Sequence, residues 1–278
     1  LPGAKNQQWG YFPSAVAAWN LKGEDFLKDN TTVSEMKLRL GWGQTGQQEG
    51  VADYGYFANY SMSNGVNGSF YDTAKDGYLA RPNAYNPDLK WETTTTTNVG
   101  IDLAMFNNRL EFTAEWYKNK SEDLLYSVPV PAQTGVSNTS VTMNAASMEN
   151  SGFEFSATYR NRDHALKYDI SANVSTLKNK VTSLGIGKDS YISGAYATYV
   201  GQEIGQFYGW VYKGIARTQE DLDNNAVQQG ANVGDCLYED ISGPDGTPDG
   251  VIDAYDQTVL GSGLPKVNFG LSTHLEYK

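Results

Sequence analysis

The chain has 278 residues, a net charge of -11, 40% hydrophobic and 13% aromatic residues. Nineteen tyrosines, ten phenylalanines and six tryptophans carry too much apolar surface for a disordered chain, and the acidic balance argues against a nucleic-acid partner, which needs a basic footprint. No run of eighteen apolar residues offers a transmembrane helix, the start LPGAKNQQWG lacks a signal-peptide pattern, and the lone Cys236 permits no internal disulfide.

In chain order, Ala15, Ala17, Trp19 and Leu21 form a first, weak alternating stretch. Met36, Leu38, Leu40 and Trp42 then oppose Lys37, Arg39 and Gly41. From Trp91 the same period places Trp91, Thr93, Thr95, Thr97, Val99, Ile101 and Leu103 on one face, with Glu92, Thr94, Thr96, Asn98, Gly100 and Asp102 on the other. The five consecutive threonines are therefore strand and not spacer, since β-branched side chains suit a pleated surface. Past a tight FNNR turn, Leu110, Phe112, Ala114 and Trp116 oppose Glu111, Thr113, Glu115 and Tyr117, which completes a hairpin. Phe153, Phe155, Ala157 and Tyr159 oppose Glu154, Ser156, Thr158 and Arg160. Tyr168, Ile170, Ala172 and Val174 oppose Asp169, Ser171, Asn173 and Ser175. Val267, Phe269, Leu271, Thr273, Leu275 and Tyr277 oppose Asn268, Gly270, Ser272, His274 and Glu276.

Seven antiparallel strands are thus expected, each with one apolar and one polar face. Alternation alone fits both a soluble β-sandwich and a membrane barrel. Runs of about ten residues match the roughly 9–11 that cross a bilayer at a tilt. Short turns at 104–108 and 161–166, set against long loops at 44–90, 119–150 and 178–264, match the loop asymmetry of outer-membrane barrels. The aromatics Trp19, Trp42, Trp91, Trp116, Phe153, Tyr159, Tyr168, Phe269 and Tyr277 share the apolar parity near strand ends, while Arg39, Glu111, Glu115, Glu154 and Asp169 take the other.

The stretches NPDLKWETTTTTNVGIDLAMFNNRLEFTAEWYKNKSEDLL, MKLRLGWGQTG, ASMENSGFEFSATY, GQEIGQFYGWVYKGI and DGVIDAYDQTVLGSGLPKVNFGLS resemble, in order, segments of the SusC/RagA-like TonB-dependent transporters of the Bacteroidetes outer membrane. The resemblance covers nearly the whole chain. It implies an all-β fold, a run of about seven strands of a 22-stranded antiparallel barrel with long extracellular loops. It also implies that residues 1–278 are part of a longer polypeptide whose plug, TonB box and final strands lie elsewhere. The expected function is active import of oligosaccharides or peptides, with a SusD-like lipoprotein lid and TonB as partners and no catalysis.

The sharpest local constellation is DISGPDGTPDGVIDAYD. With Asp245 as position 1 of a calcium loop, Thr247, Asp249, the Val251 carbonyl, Asp253 and Asp256 fall at positions 3, 5, 7, 9 and 12, and Gly250 sits at the sharp turn. Asp240 is an alternative first ligand. Position 12 is Asp where Glu reaches a bidentate geometry more easily, and position 3 is a neutral hydroxyl. Between Gln219 and Asp256 stand ten acidic residues and no Lys or Arg. Two readings stay open, a structural Ca2+ and an acidic solvated turn, and a calcium-stiffened surface protein, an adhesin or a soluble sandwich, is the alternative to the importer.

Other motifs are weaker. GWGQTG matches a dinucleotide fingerprint by letter, yet no helix pattern follows it. His164 and His274 have no ligand-spaced His or Cys beside them. Glu111 and Glu115 lie about 13 Å apart along a strand, too far for a glycosidase pair. TQEDLDNNAVQQG from Thr218 reads as a short capped helix, with Asp221 closing a capping box. Tyr54, Tyr56, Phe57 and Tyr60 in the first long loop, and Phe207, Tyr208, Trp210 and Tyr212 in the third, offer two roles, stacking on sugar rings or packing the loops.

Overall fold

The computed structural model describes residues 9–49, 56–63, 79–185 and 187–277. They form two compact units, Leu1–Gly187 with Lys266–Lys278, and Lys188–Pro265.

The first unit is a wall. Its strands are β1 (Ser14–Asn20), β2 (Val33–Gln47), a small hairpin of β3 (Tyr60–Ser63) and β4 (Leu79–Pro82), β5 (Glu92–Met105), β6 (Leu110–Pro129), β7 (Ser140–Asn161), β8 (Leu166–Thr176) and β9 (Lys178–Leu184). The last strand of the chain, Val267–Tyr277, joins it through β8. The main sheet runs β1-β2-β5-β6-β7-β8 and then this last strand, and β9 pairs β7. Every pairing is antiparallel. All seven alternating segments are therefore neighbours in space, as short connections favour.

Register fixes the two faces. Leu40, Val99, Trp116 and Phe153 share one row. Leu38, Ile101, Ala114, Phe155, Val174 and Phe269 share the next, and Met36, Leu103, Phe112, Ala157, Ala172 and Leu271 the one after. On the opposite face, Arg39, Gly100, Glu115, Glu154, Ser175 and Asn268 form one row, and Lys37, Asp102, Thr113, Ser156, Asn173 and Gly270 the adjoining one.

No second layer within this unit covers the apolar face among the described residues. Phe153 is 49% exposed and Phe269 83%, and of the buried hydrophobic residues only Leu89, Ala104 and Val181 belong to the unit. A sandwich would lay a second sheet on that face; here it stands open, as a lipid-facing wall must. The ten residue steps from Val267 to Tyr277, at about 3.3 Å each and a tilt of about 40°, rise about 25 Å, the height of the apolar band of an outer-membrane barrel.

The sequence expectation for 119–150 needs correction. A loop is expected there, but β6 continues to Pro129 and β7 begins at Ser140, so 130–139 alone connects them. The physical reason lies one step past Trp116. Lys118, Lys120 and Glu122 hold the parity that carries Leu110, Phe112, Ala114 and Trp116 below, and they pair in ion pairs Lys118–Glu149 (3.0 Å) and Lys120–Glu122 (2.7 Å). A bulge with Asp123 at φ 59 follows, where the register shifts between Ser121 and Leu124. Strands outside the lipid need no apolar face, so the alternation ends before the hydrogen bonding does. Likewise β2 extends to Gln47 and the 44–90 region contains the β3–β4 hairpin.

The region 178–264 is not a simple loop either. Its first seven residues are β9, and most of the rest is the second unit. That unit holds β10 (Ser190–Ser193), β11 (Tyr196–Tyr199), β12 (Gln206–Trp210), β13 (Tyr212–Ile215), helix α1 (Gln219–Asp223), β14 (Cys236–Tyr238) and β15 (Gln257–Gly261). The last strand of the first unit is accordingly β16 (Val267–Tyr277). A four-stranded sheet runs β10-β11-β12-β15, and β13 pairs β14. Thr218 caps α1, accepting from Asp221 N while Asp221 accepts from Thr218 N.

Candidate functional site

The polar face is organised around Arg39. Its Nε and Nη2 donate to Asp102 at 2.8 and 3.1 Å, and its Nη1 donates to Glu115 at 2.9 Å. Asn98 Nδ2 donates to the other Glu115 oxygen at 3.2 Å, and Thr113 Oγ1 donates to Asp102 at 3.3 Å. Gly100 stands in register between Arg39 and Glu115, and a Cβ there would lie 2.8 Å from Arg39 Nη2. The absent side chain is what lets a β2 arginine reach β6. Glu111 pairs Arg160. Both carboxylates that the sequence offers as a glycosidase-like pair are thus spent on cations across the wall.

Toward the end of the sheet opposite the tight turns, residues 82–90 lie along the start of β7. Asn138 accepts from Ala84 N and donates to the Ala84 and Ser140 carbonyls. Asn144 does the same for Lys90, accepting from its N–H and donating to its carbonyl and to that of Asp123. Two asparagines spaced six apart thus hold the segment by its main chain. Between it, β3 and β7 opens a cleft of about 340 Å3, lined among others by Phe57, Asn59, Asn83, Tyr85, Ser140 and Thr142. Asn83 Nδ2 donates to Asn59 Oδ1 at 2.7 Å and Ser61 Oγ donates to Asn83 Oδ1 at 2.9 Å.

The acidic turn is tied to its own backbone. Asp256 is wholly buried; its Oδ1 accepts from Ile241 N and Ser242 N, and its Oδ2 from Asp253 N. Burial pushes its carboxyl up, but the amide bonds from Asp253, Ser242 and Ile241 outweigh that and hold it below the usual carboxylate range. Asp240 accepts from Asp249 N and Gly250 N, Asp245 from Thr247 N and Oγ1, Asp249 from Val251 N, and Asp253 from Tyr255 N. Among the described residues no three acidic, His or Cys side chains are grouped as a metal site. Of the expected calcium ligands Asp245, Thr247, Asp249, Val251, Asp253 and Asp256, the one at position 12, Asp256, accepts three amide bonds in this arrangement.

The aromatic candidates separate. Tyr54 lies outside the described residues. Tyr56 meets Phe57 edge-on at 6.2 Å, and Tyr60 is exposed in β3; of the described members of this group, Phe57 lines the cleft. In the second unit, burial and then the Tyr199 hydroxyl raise the Tyr208 phenol above its ordinary value. Trp210 packs on Tyr238 at 5.8 Å and donates from Nε1 to the Asp253 carbonyl at 2.7 Å. Trp210 therefore holds the turn to the sheet. Sequence reasoning missed Asn59, Asn83, Asn138 and Asn144, whose amides follow no period, and the Tyr85 ring beside them.

The family model for the TonB dependent receptor-like β-barrel matches residues 2–255. The TonB-dependent receptor P3 of Formosa agariphila is 34% identical over 99% of the chain, and the TonB-dependent receptor SusC of Bacteroides thetaiotaomicron 32% over 99%. The chain spans 27% of the length of each. Solved structures of the RagAB peptide transporter, and of the RagAB peptide importer in its open-open state, superpose with TM-scores of 0.78 and 0.79 at 23% identity, covering all of this chain and 28% of theirs. Those two likenesses speak for the fold. A wall with one open apolar face, one ion-paired polar face and tight turns at a single end is a stretch of such a barrel, and the chain belongs to the SusC-like TonB-dependent receptor family of outer-membrane transporters.

Proposed function

We propose that this chain is part of the wall and outer loops of an outer-membrane importer for oligosaccharides or peptides. The importer is energised through TonB and works beneath a SusD-like surface lipoprotein. The observation that carries the reading is the wall itself. Its apolar rows are uncovered while its polar rows are cross-linked by Arg39, Asp102 and Glu115. Such a surface is stable with lipid on one side and a polar lumen on the other. The names of the relatives and neighbours support both substrate classes, since one is SusC and others are peptide transporters.

The test uses the full-length protein in its native envelope. Carbonate-resistant association, a gel mobility that shifts on boiling, and uptake of a labelled oligosaccharide or oligopeptide that stops when TonB is deleted are the expected results. A carbonate-soluble protein, or uptake indifferent to TonB, would overturn the reading.

A further inference from the structure

We infer that the cleft between residues 57–61, 83–89 and 138–142 binds a neutral oligosaccharide. This rests on the importer reading and adds to it a place and a chemical class.

Among the described residues the lining contains no charged side chain, in a chain whose net charge is -11 and whose wall is laced with ion pairs. What it presents instead is amide, hydroxyl and ring. Asn59 Oδ1 is engaged by Asn83, while no partner of its Nδ2 is found among the described residues. Ser140 and Thr142 add hydroxyls from β7, and Tyr85 a phenol. A sugar hydroxyl both donates and accepts, so a set of amides and hydroxyls satisfies it without a formal charge. A uronic acid or a peptide terminus would bring a charge into a cleft whose described residues offer no counter-ion, and that desolvation goes unrepaid.

Two rings flank these polar groups. Phe57 is 61% exposed and Tyr85 44%, a large solvent-facing aromatic surface for residues this close to a rigid frame. Aromatic faces beside convergent polar groups are the composition of small-ligand clefts, and about 340 Å3 lies at the small end of their about 300–1,000 Å3 range. The cleft is also held in shape before any ligand arrives. Asn138 and Asn144 fix residues 84 and 90 to the start of β7, Pro82 O accepts from Ser137 N, and Asn59 O from Asn83 N. Such preorganisation lowers the ordering cost of binding. Asn138, with all its groups on the main chain, is a positioning residue; Asn59, Phe57 and Tyr85 face the ligand.

The experiment takes the full-length transporter in detergent or outer-membrane vesicles and titrates it with neutral hexose oligomers, uronate oligomers and oligopeptides of matched length. Tyr85→Ala and Asn59→Ala should each weaken the neutral oligomer about tenfold, about 1.4 kcal/mol, while Tyr85→Trp retains binding. Each variant is checked for an unchanged heat shift on gels. A variant that loses the shift is replaced by its milder counterpart, Tyr85→Leu or Asn59→Ser. Binding of the neutral oligomer that is unaffected in folded variants, or a protein that takes only the charged probes, overturns the inference. TonB-dependent uptake would still stand in either case, so failure of this site and failure of the importer reading are told apart.

Discussion

Arg39 and Glu115 belong to strands that are not neighbours, yet their side chains meet at 2.9 Å because Gly100, between them in register, has nothing to put in the way. Gly100→Val should force the guanidinium off both Asp102 and Glu115. Arg39→Ala should leave those two carboxylates facing each other. Each change is expected to cost about 1–3 kcal/mol, between the values for exposed and fully buried pairs. The readout is the temperature at which the barrel loses its compact gel mobility. Midpoints equal to the unmodified protein would show that the latch contributes nothing.

The two faces of β7 should respond oppositely to the same substitution. Phe155 stands in an apolar row and Ser156 in a polar one. Phe155→Arg is expected to cost about 2–4 kcal/mol at mid-depth, whereas Ser156→Arg should stay within about 0.5 kcal/mol. Denaturant titration of the protein refolded into vesicles measures both. Equal effects would contradict lipid on one side only.

Acid should loosen the turn at 240–256. The folded Asp256 carboxyl sits below its ordinary range, so its bonds to Ile241, Ser242 and Asp253 contribute fully above the unfolded value and are lost as pH falls through the lowered folded one. Limited proteolysis should find 240–256 cleaved faster in that acid window. Asp256→Asn should show the faster cleavage already at neutral pH, with its acid dependence lost, and cost about 1–3 kcal/mol. Because that carboxylate is already spent, removing calcium with a chelator should leave the cleavage pattern unchanged at neutral pH. A chelator-induced nick would instead show that the loop holds calcium.

Cys236 gives a test of sidedness. It is exposed, in β14 of the second unit, and it is the one cysteine of the chain. In full-length protein stripped of any other cysteine, a membrane-impermeant maleimide should label it on intact cells as fast as on lysed ones. Labelling only after lysis would place the second unit on the periplasmic side.

Much of the wall was legible because lipid and water impose opposite demands on alternate residues. Met36 to Trp42, Val99 to Leu103, Phe153 to Tyr159 and Val267 to Tyr277 carry that demand in their letters. Beyond Lys118 both faces are wet, the demand lapses, and hydrogen bonding continues through residues that read as loop. The acidic turn is legible in two ways for a different reason. Asp253-x-x-Asp256 has the spacing of a capping box as well as of two calcium ligands, and the box is what formed, with Asp253 accepting from Tyr255 N and Asp256 from Asp253 N. The Asn-lined cleft has no period at all. Asn138 and Ala84 are 54 positions apart and meet only once the strands are in register.

β8 and β16 part at Leu177 and Lys266, a doorway where Leu177 N donates to Lys266 O at 3.0 Å, and the chain runs on through β9, still paired to β7, before it enters the second unit. The two ends of everything between are therefore already joined by a main-chain hydrogen bond. Insertions are best tolerated where their ends lie this close, and lengthening a loop costs free energy only logarithmically. What is threaded through that doorway beyond β9 is an exchangeable cassette. The unit Lys188–Pro265 can be lengthened, trimmed or replaced without any strand of the wall having to find a new neighbour.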